Sequence, residues 1–196
     1  MAVMTLSPAS SVAPAASPAP VDPEDADLVR AAAGGDVPAF EKLVQRHHRR
    51  VFSFVLQMTR HREDAEDLTQ QAFVKAFRHI RRADPARPII NWLFTIARRT
   101  ALNHFRSVRK WEFVPADVVS DQPSPDRQLE QQERMENVWA RARRVLSQRE
   151  FEVLWLRFAE EMSTKETARI TGLTQIHVKV LVHRARRQLM KGEVQT

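Results

Sequence analysis

From Asp25 to Lys110, and again from Ser147 onward, apolar residues recur at steps of three and four, and no stretch alternates apolar with polar long enough for a half-buried strand. That pattern restricts the chain to an all-α fold. Asp36 is placed to cap a helix whose stripe is Phe40, Leu43, Val44, His47, Val51, Phe54, Val55 and Met58. A second helix starts near Arg62 and carries Ala65, Leu68, Ala72, Phe73, Ala76, Phe77 and Ile80. Pro85 and Pro88 then impose a loop, because proline lacks the amide donor and biases its predecessor away from helix. A third helix follows with Ile89, Trp92, Leu93, Ile96, Ala97, Ala101, Leu102 and Phe105 on one side.

The prolines divide the chain. Five of the eleven lie in the first 23 residues, where no charge occurs before Asp22. Residues 1–24 read as a disordered Pro/Ala-rich arm, since such a segment buries too little to offset its ordering entropy. A secretory signal is disfavoured by the missing basic n-region. Pro115, Pro123 and Pro125 punctuate a second break, read as a flexible linker over 111–132. Ser124-Pro125 offers an N-cap with proline at the first helical position, opening a charged helix to about Leu146. The expected organisation is therefore two small helical domains, 25–110 and 133–192. The second opens on two capping boxes, Ser147–Glu150 and Ser163–Glu166. Its last helix is capped by Thr174 and packs through Val178, Val182, Ala185 and Leu189.

Composition removes whole classes. The chain has no cysteine, which excludes a disulfide scaffold, Cys-ligated zinc and a thiol nucleophile and suits a cytoplasmic location. Only four glycines disfavour Gly-rich nucleotide loops. The seven histidines show no metal-ligand spacing, and no serine sits in a nucleophile elbow. No catalytic residue, metal or cofactor is expected, and the chain does not read as an enzyme. The longest mainly apolar run, Ile89–Ala97, is far short of the ~20 residues that span a bilayer, so no membrane insertion is expected. A net charge of +7 points to an anionic partner.

The charge is not spread evenly. From Thr174 to Lys191 there are two Lys, three Arg and two His and no acid. Ala168, Gly172 and Val178 fall at the spacing of a helix-turn-helix: a small residue where helices cross, a glycine where the turn needs positive φ, an apolar residue where the second helix packs back. The second helix of such a motif reads base edges in the major groove, and its outer face here carries Gln175, His177, Lys179, His183, Arg184 and Arg187. The alternative is a helical hairpin with a solvated basic face. A second basic run, Arg98, Arg99, Arg106, Arg109 and Lys110, is interleaved with Trp92, Phe94 and Phe105, which suits opened or single-stranded DNA; the alternative is that Trp92 and Phe105 are core. Four acids in five positions, Glu63, Asp64, Glu66 and Asp67, exceed what a helix N-terminus asks for and allow a basic protein partner.

In this order, REDAEDLTQQAFVKAFR, INWLFTIARRTALNHFR, a Pro-rich linker and LSQREFEVLWLRF followed by KETARITGLTQIHVKVLVHRARRQL, the chain resembles the extracytoplasmic-function sigma factors of bacterial RNA polymerase over roughly residues 25 to 192. The resemblance implies that the first block is sigma region 2 and the last is sigma region 4. It implies a surface from Asp64 to Phe73 for the β′ clamp helices of core polymerase, with Asp67, Gln70 and Gln71 as contacts. It assigns the loop Arg82–Pro88, including Arg87, and the helix Asn91–Lys110, with Trp92, Arg98, Arg99, Asn103 and Arg106, to recognition and opening of the -10 element. Thr174 to Arg187 would read the -35 element. Core RNA polymerase (through β′ and β), promoter DNA and an anti-sigma factor are the implied partners, with stress response as the implied setting.

The chain departs from the family pattern at three places. Arg99 stands where an asparagine helps to hold a flipped base, Val180 and Leu181 stand where serine and arginine are usual, and Thr167 replaces a buried isoleucine. Apolar side chains in the major groove contact thymine methyl groups and lose Arg–guanine readout, so Val180 and Leu181 are candidate base contacts; the alternative is that Leu181 packs inward. Two other functions remain compatible with the residues: a helix-turn-helix regulator that is not a sigma factor, and a sigma-like decoy for an anti-sigma factor.

Overall fold

Asp22 ends the extended entry to the first helix: its carboxylate accepts from the Glu24 amide at 2.9 Å, and Pro23 fills the first turn. The helix α1, Pro23–Ala33, therefore begins inside the segment expected to be an arm. The computed structural model describes residues 20–108 and 138–191. Most of the expected arm, the 111–132 linker, the start of the helix after Pro125, Arg109 and Lys110 lie outside the described residues.

Gly35, at φ 105°, turns the chain into α2, Val37–Thr59, which Asp36 caps through the Ala39 amide at 3.1 Å. Then come α3, Arg62–His79, a short 3-10 turn, Ile80–Arg82, and α4, Ile89–Val108. Val51, Phe54 and Val55 of α2 meet Ala65, Leu68, Ala72 and Ala76 of α3 and Leu93, Phe94, Ala97 and Ala101 of α4. Alanines on α3 and α4 let the backbones approach, and the Phe54 and Phe94 rings fill the centre 4.9 Å apart.

The second half contributes a helix α5 over residues 138–145, α6, Gln148–Phe158, α7, Thr164–Thr171, and α8, Gln175–Lys191. Both expected capping boxes are formed, at Ser147/Glu150 and Ser163/Glu166. Gly172 adopts φ 70°, and Leu173 donates back to the Ala168 carbonyl at 3.0 Å, closing α7. Val153, Ala168, Val178 and Leu181 form the small core of this turn. No strand occurs among the described residues.

The two halves are packed together. Leu156, Met162 and Ile170 enter the core built by α1 to α4, with α4 against α7 and α2 against α6. Acids of the second half meet polar groups of the first around this seam. Arg98 reaches Glu152 in a fork, Nε to Oε1 at 2.5 Å and Nη2 to Oε2 at 3.3 Å. Asn91 donates to Glu166 at 2.8 Å, and Arg50 donates to Glu160 at 3.0 Å. The helix α8 touches no helix of the first half.

Candidate nucleic-acid and polymerase interfaces

Thr174 caps α8 through the His177 amide at 3.2 Å, which sets the rotation of the whole helix. The inward residues are Val178, Leu181 and Ala185. Opposite them, Gln175, His177, Lys179, Val180, His183, Arg184 and Arg187 are all exposed, together with Thr174 at the cap. The expected polar residues thus share one exposed face, with Val180 among them. Leu181 is a correction: it is only 8% exposed, packed with Val153 and Ala168, and cannot present its side chain to a base. The helix steps inward at 178, 181 and 185, so Leu181 takes the place in the core that the sequence reading gave to half-buried Val182. Ile176, outside the expected reader set, is 76% exposed on the outward face. Its signal was a large aliphatic group between two polar residues in the first turn.

The second basic surface is less open. Arg82, Arg87, Arg99, Asn103 and Arg106 are exposed, with Arg87 paired to Asp84 at 3.0 Å. Trp92 is half-buried against the main core. Arg98 is held by Glu152 of α6, and its side chain is only 14% exposed. Burial pushes the Glu152 carboxyl above the ordinary carboxylate range, against the opposing pull of Arg98. In this arrangement Arg98 is not available to DNA. Sequence reasoning missed Glu152: a single acid between Phe151 and Val153 carries no local mark of its partner.

The acidic helix start divides in two. Asp67, Gln70 and Gln71 face outward on α3, with Val74 and Phe77 continuing the exposed face toward the helix end. Asp64 turns aside, within 3.6 Å of His61 and 4.0 Å of His104 on α4. Phe73 is a second correction: it is buried in the main core, its ring 6.1 Å from His48, because its position follows Ala72 on the inward side. Phe77, expected on the inner stripe, is half exposed and meets Phe40 at 5.1 Å between ring centres.

The model of sigma-70 region 2 matches residues 43–112, and that of sigma-70 region 4 matches residues 140–189. The sigma factor CnrH of Cupriavidus metallidurans is 31% identical over 182 residues, covering 86% of this chain and 95% of its own. The chain belongs to the extracytoplasmic-function sigma factors. The ECF sigma factor BldN of Streptomyces coelicolor is likewise 31% identical, over 84% of this chain and 64% of BldN. Among solved structures, the sigma factor RpoE of Bartonella quintana in complex with the anti-sigma factor NepR has a TM-score of 0.66 at 24% identity, covering 82% of this chain and all of that one, which shows a shared fold. For this sigma factor, α3, α4 and most of α2 fall within the region 2 match, and α6, α7 and all but the last two residues of α8 within the region 4 match.

Proposed function

We propose that this sigma factor binds core RNA polymerase through the outward face of α3, with Asp67, Gln70 and Gln71 as contacts, and directs initiation by reading two promoter elements with α4 and α8. The observation that carries the reading is the acid-free, outward face of α8 in the same chain as the region 2 helices. Residues 25–110 act as the polymerase-binding and strand-opening unit, residues 111–132 as the linker, and 133–192 as the -35 reader. The protein works by binding rather than by bond chemistry. Unstacking a base costs a few kcal/mol, offset by stacking and pocket contacts at the opened strand. Because Glu152 occupies Arg98, the two halves part when the -10 element is engaged. An anti-sigma factor holds the protein in reserve, a reading supported by the RpoE structure, which contains one. Work on promoter DNA places the protein in the cytoplasm.

Run-off transcription with purified core polymerase tests this. Promoter-specific transcripts should appear with this protein as the only sigma factor. Replacing Asp67 and Gln70 together with alanine should reduce them, with the fold retained by circular dichroism. Transcription only in the presence of another sigma factor would overturn the proposal.

A further inference from the structure

The first turns of α8, the part of a recognition helix that reaches base edges, contain Gln175, Ile176, His177, Lys179 and Val180 on the outside and no arginine. The arginines Arg184, Arg186 and Arg187 all come later in the helix. The commonest specific contact to guanine, a forked arginine, is therefore missing from the reading end. In its place stand two aliphatic side chains one helical turn apart. Ile176 is 76% exposed and Val180 is 40% exposed, although Val178 and Leu181 beside them are buried. They lie among Lys179, His183 and Arg184 on a helix without an acid, so the surface they would meet is anionic with small apolar groups set into it. Only one base edge in the major groove offers an apolar group, the 5-methyl of thymine.

We propose that Ile176 and Val180 are specificity-determining residues that recognise thymine methyl groups in the -35 element. The inference rests on the reading of α8 as the -35 reader. Four residues of helix rise about 6 Å, close to two base-pair steps at ~3.4 Å each. A helix lying along the groove then places the two aliphatic groups over thymines two positions apart.

The test uses the full-length protein assembled with core polymerase. Promoters are selected from a random upstream duplex pool, and each thymine of the -35 element in a selected promoter is replaced by deoxyuridine, which removes only the methyl group. Each methyl in contact should contribute about fourfold in binding, the worth of one buried methyl-sized group. The wild-type complex should lose about that factor at two positions spaced as above. Ile176→Ala should weaken binding to the thymine template and abolish the deoxyuridine penalty at one position; Val180→Ala should do the same at the other. Both side chains are exposed, so the variants keep the fold. A wild-type complex indifferent to deoxyuridine overturns the inference, as does a penalty that survives in both variants, or an Ile176→Ala variant that binds DNA like the wild type. Recovery of no promoter at all would instead overturn the sigma reading itself, and this inference with it.

Discussion

The two basic surfaces of this sigma factor stand in opposite states. The face of α8 is open from Thr174 to Arg187 and touches nothing in the first half. On α4, Arg98 lies on the seam between the halves, where Glu152 takes it out of play, while Arg99 and Arg106 stay exposed. Both surfaces have the same kind of composition, and composition says nothing about the difference. What separates them is where the acids of α6 and α7 are delivered. Glu152 and Glu166, with Glu160 in the loop between those helices, all point back at α2 and α4. The same half of the chain thus takes one arginine from the first surface and leaves the second open.

The largest test of that contrast is Glu152→Ala. Removing one partner of a buried ion pair leaves the other charge uncompensated and costs about 3–5 kcal/mol. The variant should lose the closed packing, seen as a larger radius of gyration in X-ray scattering. The double replacement Arg98→Met with Glu152→Leu should restore compactness, because apolar groups of similar size often substitute for a buried pair without loss. A single variant as compact as wild type would show that the apolar contacts of Leu156, Met162 and Ile170 hold the seam alone.

Within α8 the contrast is between adjacent residues. Leu181→Ala should destabilise the protein by about 2–5 kcal/mol, the range for a buried leucine, whereas Val180→Ala should change stability by less than about 0.5 kcal/mol, as surface changes do. Chemical denaturation of both variants checks this. Equal losses would mean that Val180 belongs to the core.

The smallest expected effect is a slope with pH. His47 lies under the seam, its Nε2 2.9 Å from the Asp25 carboxylate, with Arg46 and Arg50 also facing it. Burial lowers its pKa below the ordinary imidazole value, against the pull of Asp25. The unfolded chain then binds a proton that the folded chain does not, so stability falls as pH drops through the ordinary imidazole range and is complete above it. Thermal melts across that range should show the slope in the wild type and lose it in His47→Gln. An unchanged slope in the variant would assign it to another group.

Most of the helical framework was legible from neighbours in sequence. Asp36, Ser147, Ser163 and Thr174 all cap helices where their side chains suggested, since a cap depends on the next three residues. Gly172 takes the positive φ that the turn spacing asked for. Errors came where a stripe could be drawn two ways. On α8, steps of four through Val182 and steps of three through Leu181 fit the pattern equally, and the packing against Ala168 and Val153 chose the second. On α3 the stripe was drawn one residue too wide: Ala76 and Ile80 are buried, and Phe77 between them is half exposed. Thr167, marked as replacing an apolar residue, is fully buried with its hydroxyl unpartnered, which no local signal reveals.

Taken alone, the amino-acid order determined the all-α class, the helix starts, the turn at Gly172 and the charge of each surface, because periodicity and capping act over a few residues. It also carried the family resemblance. Only the tertiary structure decided that the two halves close on each other, that Glu152 holds Arg98 from 54 residues away, and that Ile176 rather than Leu181 faces outward. Those outcomes depend on which groups meet in space, where burial removes water and makes a distant partner the strongest neighbour a charge has.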